Sequence, residues 1–131
     1  MSTIQKPVIL LADDNKDTRE FLIDALGADK YDFLQASNGA EAWQMLKDNT
    51  VSLAIIDEVM PKMAGSKVVG LARSNGISIP VLIITGLRAN EIAVEMNNTP
   101  TNCLMILEKP FKPQQLVDIV RSLMSQLAHA A

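Results

Sequence analysis

Five polar side chains follow short apolar runs in this 131-residue sequence, and their types are suited to joint chemistry. Asp13 and Asp14 follow the run "LLA", Asp57 ends "LAII", Thr85 ends "VLII", and Lys109 follows "LMILE". A carboxylate at the end of an apolar run is costly to bury unless a partner compensates its charge. The five residues therefore indicate a polar site.

Phosphoryl transfer to a carboxylate is the chemistry that this set of residues fits. Three carboxylates that lie close together can all be ionised only if a cation sits among them. Oxygen ligands of this kind, completed by water and phosphate, favour Mg²⁺ over a softer metal. Lys109 offers a positive charge and Thr85 a hydroxyl donor for phosphoryl oxygens, and Asp57 is the candidate nucleophile.

Each residue also has a purely structural interpretation when it is taken alone. Asp13 or Asp14 could cap the first predicted helix, and Asp57 could be a turn residue at the end of a strand. Thr85 could be an ordinary strand residue and Lys109 a solvated charge. A site is favoured because all five residues lie at predicted strand ends.

The elements that position these residues are predicted by five apolar runs that alternate with amphipathic segments. The runs span residues 7–12, 31–36, 51–57, 80–85 and 103–108. Four of them are almost continuously apolar, as in parallel strands covered on both faces, and the mixed second run suits an edge strand. We therefore expect an α/β fold with a doubly wound parallel sheet, whose ligand site lies at the carboxyl ends of the strands.

Helices are predicted between the runs by periodicity and by capping residues. Gly27 is expected to end the first helix, and Asn38 with Glu41 has the spacing of a capping box at the start of the second. The remaining helices are expected at residues 65–74, near 88–97, and along an apolar stripe from Leu116 to Leu127.

Composition and charge narrow the class of protein. A chain with 48% hydrophobic and 21% charged residues suits one globular domain, and a net charge of −3 argues against nonspecific nucleic-acid binding. The single cysteine, Cys103, excludes an internal disulfide and an all-cysteine metal site. No apolar run approaches the roughly 18 residues of a membrane helix, and no signal-peptide pattern is present. We therefore expect a cytoplasmic protein that does not bind membranes.

Four stretches together resemble the receiver domain of two-component response regulators: "LLADDN", "IIDEVMPKMAG", "IITG" and "LEKPF". The resemblance covers nearly the whole chain. It implies a flavodoxin-like (βα)5 fold with strand order 2-1-3-4-5, in one receiver domain of residues 1–131 with its core at about 6–128. It further implies that Asp57 accepts a phosphoryl group from the phosphohistidine of a histidine kinase or phosphotransfer protein.

The resemblance also implies roles for the neighbouring residues. Asp14 would ligate Mg²⁺ (or Mn²⁺) directly and Asp13 mainly through water, alongside Asp57 and the backbone carbonyl of Val59. Thr85 and Lys109 would contact the phosphoryl oxygens, and the peptide bond after Lys109 would be cis. Pro61 and Gly65 match the loop that follows the acceptor, where Gly65 would permit a tight approach before the next helix.

Signalling rather than enzymatic turnover is the activity that the resemblance implies. Phosphorylation would shift an inactive–active equilibrium that a downstream partner reads. The reading surface would combine the helix predicted near 88–97, the fifth strand and the last helix, in a monomer or a phosphorylation-dependent dimer.

Several positions depart from the family pattern. Ile106 occupies the place of an aromatic or histidine switch residue, which favours an altered switch. Val59 and Leu87 stand where the family tunes loss of the phosphoryl group, and their apolar side chains predict a long-lived phosphorylated form. Glu58 has no assigned chemistry and is expected to be a solvated loop residue.

Two other classes of function remain as alternatives. One is a receiver-like interaction module that works without phosphorylation. The other is a Mg²⁺-dependent phosphohydrolase with an aspartyl-phosphate intermediate, but such enzymes usually carry a second aspartate at the position of Val59. A flavin or dinucleotide binder would need a glycine-rich loop where this chain has "ADDNKD".

Overall fold

The structure is a computed structural model that describes residues 6–86 and 104–129, with side chains through Ser125. Within these ranges, the strands are β1 Val8–Ala12, β2 Asp32–Ala36, β3 Leu53–Asp57, β4 Val81–Thr85 and β5 Leu104–Glu108. The helices are α1 Lys16–Leu26, α2 Gly39–Asp48, α3 Gly65–Ser74 and α4 Pro113–His129. The helix predicted near 88–97 lies outside the described residues.

The five strands form one parallel sheet in the order β2-β1-β3-β4-β5. The predicted order 2-1-3-4-5 is thus confirmed, and β2 lies at an edge, as its mixed sequence indicated. β1 pairs with β2 on one side and with β3 on the other, so the direction of strand order reverses between β1 and β3. The crevice outside their carboxyl ends is where ligands bind in open sheets of this kind.

Two hydrophobic clusters cover the two faces of the sheet, because alternate strand residues point to opposite sides. One cluster packs the strands against α2 and α3, through residues such as Leu10, Ile56, Ile83, Leu46 and Val68. The other packs them against α1 and α4, through residues such as Ile9, Ile55, Leu82, Leu22 and Leu116. Burial on both faces explains why the central strands are apolar throughout.

Capping fixes the ends of the helices next to the sheet. Gly27 ends α1 with a φ of 101°, in the left-handed region that glycine adopts without a steric penalty. The Asn38 side chain accepts a hydrogen bond from the Glu41 backbone N–H at 2.8 Å, as predicted for α2. The Glu41 carboxylate bonds the backbone N–H and the hydroxyl of Ser37 instead of the Asn38 N–H, a one-residue variation on the capping box.

None of the helices within residues 6–86 and 104–129 combines the length and the apolar character needed to cross a membrane.

Candidate functional site

Three carboxylates meet at the carboxyl ends of β1 and β3. Asp13 and Asp14 directly follow β1, and Asp57 is the last residue of β3. One oxygen from each carboxylate lies within 4.8 Å of the others. Asp13 and Asp57 are 4% and 7% exposed, whereas Asp14 faces solvent. Parallel pairing of β1 with β3 brings the three carboxylates together from distant parts of the sequence.

Lys109 and Thr85 complete the same edge of the sheet. The Lys109 ammonium donates a hydrogen bond to Asp57 Oδ1 at 3.2 Å and forms an ion pair with it. Thr85 ends β4 fully buried, and its backbone carbonyl accepts a 2.7 Å hydrogen bond from the Lys109 N–H. The Lys109–Pro110 peptide bond is cis, as the family resemblance implied. All five sequence-predicted polar residues therefore lie at the carboxyl ends of the strands.

The site is electrostatically suited to a cation. Burial raises the pKa of Asp57, and the negative charge of Asp13 adds to that effect, while the Lys109 ammonium opposes it. Burial also raises the pKa of Asp13, although a hydrogen bond from the Asn15 N–H opposes the shift. Three carboxylates and one ammonium carry a formal charge of −2 (−3 + 1). A divalent cation would balance it with the oxygen ligands that Mg²⁺ prefers.

These raised pKa values predict an unusual dependence of stability on pH when no divalent cation is present. A carboxyl group whose folded-state pKa is raised takes up its proton in the folded state first, so lowering the pH favours folding. The wild-type chain should gain stability relative to the Asp57→Asn variant as the pH falls from 7 through the folded pKa towards 3.8, the ordinary value. Urea unfolding in EDTA at several pH values measures this difference.

The control for this pH series is the Asp24→Asn variant, which removes an exposed carboxylate of α1. The stability difference between wild type and Asp24→Asn should change less with pH than the difference between wild type and Asp57→Asn. A pH-independent difference for Asp57→Asn would contradict the assignment of buried charge to Asp57.

The loop after β1 is held by residues that sequence reasoning did not single out. Asn15, not Asp13 or Asp14, caps α1, since its side chain accepts hydrogen bonds from the Asp17 and Thr18 N–H groups. Asp13 Oδ1 instead accepts a 2.8 Å bond from the Asn15 N–H. An asparagine followed by an acidic residue in the first helical turn was the signal available in the sequence.

Arg19 ties the same loop to the edge strand. Its guanidinium donates one hydrogen bond to the Asp13 backbone carbonyl and another to Gln35 Oε1 at 3.0 Å. The Asp13 N–H also donates to the Ala36 carbonyl at 3.0 Å. Hydrogen bonds that join α1 and β2 to the Asp13 backbone thus fix the position of this residue.

The loop after Asp57 contains a tight turn and packs against the start of α2. Met63 N–H donates to the Pro61 carbonyl at 2.8 Å across Lys62, whose φ of 72° is that of a three-residue γ-turn. The Gly39 N–H at the start of α2 donates to the same Pro61 carbonyl at 3.3 Å. A Cβ on Gly39 would approach the Met63 Cβ to 2.6 Å, so the loop can pack there only against glycine.

Gly65 permits a second close approach, as the sequence predicted. A Cβ at this position would lie 2.6 Å from the Asp57 carbonyl oxygen and 2.9 Å from Ile56 Cγ2. Backbone atoms of β3 cannot move aside without shifting the candidate nucleophile. The start of α3 therefore packs directly against the backbone of Asp57.

The Gly65→Ala variant should be less stable than wild type because its methyl group overlaps the backbone of β3. Overpacking of this kind costs about 2 kcal/mol, which lowers the melting temperature of a domain of this size by about 8 °C. Calorimetry measures the change. The control is Gly86→Ala, since no described atom lies within 4 Å of a Cβ at that position. Equal melting temperatures for the two variants would contradict the close contact.

Glu58 corrects one expectation, because it is buried and not a solvated loop residue. Its side chain is bonded to Ser66 in α3, where Oε1 accepts the backbone N–H at 2.6 Å and Oε2 accepts the hydroxyl at 2.8 Å. The whole residue is 3% exposed. The partner lies eight residues further on, at a separation that no local capping pattern includes.

Comparison with known proteins identifies the family. The family model of the response regulator receiver domain matches residues 9–121, which is most of the chain. The chain belongs to this family. A curated relative, the response regulator receiver protein CpdR of Brucella abortus, is 32% identical over 116 residues, which cover 88% of this chain and 95% of CpdR. This receiver spans 52%, 23% and 50% of the next three curated relatives.

Solved receiver structures share the fold. The receiver domain of the Francisella response regulator 1452 superposes with a TM-score of 0.82 at 27% identity, over 93% of this chain and 99% of that one. A CheY-like receiver domain protein of Methanospirillum hungatei reaches a TM-score of 0.87 at 19% identity, over 97% of this chain and 100% of that one. The second likeness supports the fold alone.

The positions at which this receiver departs from its family fall on different parts of the structure. Ile106 lies in β5 and packs, partly buried, against the cluster beside α2 and α3. Val59 is 64% exposed, and Leu87 lies outside the described residues. A long-lived phosphorylated form therefore stays a prediction.

Proposed function

We propose that Asp57 accepts a phosphoryl group from the phosphohistidine of a histidine kinase or phosphotransfer protein. One observation carries the proposal: an oxygen of the Asp57 carboxylate lies within 4.8 Å of an oxygen of each of two further carboxylates, and Asp57 Oδ1 lies 3.2 Å from the Lys109 ammonium. The three carboxylates can hold a metal next to the acceptor, and the ammonium can contact a phosphoryl oxygen. The chain is then a signalling phosphoacceptor and not an enzyme that turns over an external substrate.

The transfer is a displacement at phosphorus. An ionised Asp57 oxygen attacks the phosphorus atom, an acyl–phosphate bond forms, and the phosphorus–nitrogen bond of the donor breaks. The leaving imidazole keeps the electron pair of that bond. Lys109 holds Asp57 ionised before the reaction and then contacts an oxygen of the transferred group. The Thr85 hydroxyl contacts another phosphoryl oxygen in the product.

Asp13, Asp14 and Asp57 would hold Mg²⁺ or Mn²⁺, with the backbone carbonyl of Val59 as a further ligand. Asp14 would bind the ion directly and Asp13 mainly through water. When bound, the ion supplies positive charge that offsets the negative charge of the carboxylates and of the incoming phosphoryl group. The raised pKa values of Asp13 and Asp57 support this assignment, because burial disfavours both negative charges and a bound cation would offset that cost.

Phosphorylation would be reported through Thr85 and β5. The added group is larger and more negative than a carboxylate, so it draws the Thr85 hydroxyl and shifts an inactive–active equilibrium. Ile106 cannot make the hydrogen bond that a tyrosine or histidine switch would make, so the change is transmitted by packing. A downstream partner would read it on a surface that includes β5 and α4.

Residues 1–131 would form one receiver domain that works in the cytoplasm. It would act as a monomer or as a dimer that forms on phosphorylation, without direct contact to nucleic acid or membranes.

Incubation of the wild-type chain with acetyl phosphate tests the proposal. In the presence of Mg²⁺, intact mass spectrometry should show one added phosphoryl group per chain. The same incubation in EDTA should show uptake reduced at least about tenfold, because the carboxylates then repel the donor. A wild-type chain that gains nothing from acetyl phosphate or from a phosphorylated histidine kinase would favour an interaction module that works without phosphorylation.

A further inference from the structure

Glu58 is a buried carboxylate that the proposed phosphoryl transfer does not use. It directly follows Asp57 and is 3% exposed. Its backbone N–H extends the pairing of β3 with β4 by donating to the Ile84 carbonyl at 2.9 Å. Its backbone carbonyl accepts a hydrogen bond from the Gly65 N–H at 3.0 Å. The backbone on both sides of this residue is thus attached to the sheet and to α3.

The Glu58 side chain adds two bonds to this attachment. Oε1 accepts the Ser66 N–H at 2.6 Å, and Oε2 accepts the Ser66 hydroxyl at 2.8 Å. Ala64, the residue that precedes α3, offers no side-chain cap, so Glu58 satisfies an N–H group in the first turn of the helix. A carboxylate at this end of a helix is also favoured by the helix dipole.

These bonds join the two ends of the loop of residues 59–65. The loop begins at Val59, whose backbone carbonyl is a proposed metal ligand, and ends at Gly65, which rests on the Asp57 carbonyl. If the two ends of the loop separated, the distance between the Val59 carbonyl and the Asp57 carboxylate would no longer be fixed. A metal site depends on such supporting contacts as well as on its ligands.

We infer that Glu58 is a positioning residue for the metal and acceptor site, acting through its paired hydrogen bonds to Ser66. This inference rests on the proposed function, because it assigns Glu58 a task in metal binding. The task is specific to the buried pair. Glu41 makes the same two kinds of bond to Ser37 at the start of α2, but both of those residues are exposed and neither adjoins Asp57.

Calorimetric titration with Mg²⁺ tests the inference directly. The Glu58→Leu variant should bind Mg²⁺ about tenfold more weakly than wild type, and Ser66→Ala about threefold more weakly. Glu58→Gln should stay within about twofold of wild type, because an amide can still accept the Ser66 N–H and donate to its hydroxyl. Amide hydrogen exchange at Ser66 should quicken in Glu58→Leu and stay slow in Glu58→Gln.

Two controls separate positioning from general stability. Glu41→Leu removes the exposed equivalent of the pair, and Leu123→Ala destabilises the core at α4. Both should bind Mg²⁺ within about twofold of wild type. The inference is overturned if Leu123→Ala loses as much affinity as Glu58→Leu, or if Glu58→Leu and Ser66→Ala both bind as wild type does. If Glu58→Leu fails to fold, the Mg²⁺ affinities of Ser66→Ala and Glu58→Gln decide. Equal affinities for these two variants would then overturn the inference.

Failure of this inference can be told apart from failure of the proposed function. A wild-type chain that binds Mg²⁺ but takes up no phosphoryl group refutes the phosphoacceptor role and leaves the positioning role of Glu58 in place. A chain that is phosphorylated normally while Glu58→Leu keeps wild-type Mg²⁺ affinity refutes the positioning role alone.

Discussion

The Asp57→Asn variant is expected to take up no phosphoryl group from acetyl phosphate and Mg²⁺. An amide has nearly the size and shape of the carboxylate but no anionic oxygen to attack phosphorus, so the uptake rate should fall at least about 1,000-fold. The variant should fold, because burial raises the pKa of Asp57 and a neutral side chain removes that unfavourable charge. Intact mass spectrometry over a time course measures the loss.

The matched control for Asp57→Asn is Glu58→Gln, which makes the same chemical change in the adjacent buried residue. It should take up one phosphoryl group as wild type does, since its amide can accept the Ser66 N–H and donate to the Ser66 hydroxyl. Uptake by Asp57→Asn at the wild-type rate would contradict the assignment and would point to Asp13 or Asp14 as the acceptor.

The Lys109→Met variant is expected to be phosphorylated about 100-fold more slowly than wild type. Its side chain keeps most of the length but loses the ammonium that lies 3.2 Å from Asp57 Oδ1. Removing one positioned electrostatic contact to the reacting group typically costs this much in rate. Without the ammonium the pKa of Asp57 should rise further, which leaves less of the nucleophile ionised. The initial rate of phosphoryl uptake at pH 7 measures the effect.

Lys112→Met is the matched control for this prediction. Lys112 is an exposed lysine three residues further along the chain, so its loss changes the net charge equally without touching Asp57. Its rate should stay within about twofold of wild type. If the two methionine variants slow phosphorylation to the same extent, net charge and not the contact to Asp57 explains the effect. A steeper dependence on pH for Lys109→Met would support its role in keeping Asp57 ionised.

The sheet and the position of the site were predictable from local patterns. Near-continuous apolar runs such as residues 53–56 and 81–84 are typical of strands buried on both faces, and both lie at the centre of the sheet. Once the strands are parallel, residues that end them must share one edge. This geometric rule brought Asp13 and Asp57 together without knowledge of their contacts. The periodicity predicted a doubly wound parallel sheet, and the family resemblance implied its strand order.

The supporting contacts could not be predicted in the same way, because they depend on tertiary packing. Glu58 looks like a loop residue until α3 brings Ser66 to its carboxylate. Arg19 is separated by 16 positions from Gln35, which it contacts only because α1 lies beside β2. Charged side chains in amphipathic segments are usually solvated, so sequence patterns assign them to the surface.

Of the two glycines that contact the loop after Asp57, only one was predictable from the sequence. Gly65 was predictable as a point of close approach, since the family resemblance places it in the loop that follows the acceptor. Gly39 was not, because its contact with Met63 joins two segments that are distant in the sequence. Both glycines hold the loop after Asp57 against neighbouring backbone. The loop after Asp57 is therefore fixed by packing against α2 and α3 as well as by β3, which precedes it.

Chemical trapping of the phosphorylated residue tests the central claim most directly. After incubation with acetyl phosphate and Mg²⁺, borohydride reduces an acyl phosphate to an alcohol, which converts the modified aspartate to homoserine. Peptide mass spectrometry should then find homoserine at position 57 and unmodified aspartate at Asp13 and Asp14. Homoserine at either of those two positions, or an unmodified Asp57 in a chain that has gained a phosphoryl group, would contradict the account.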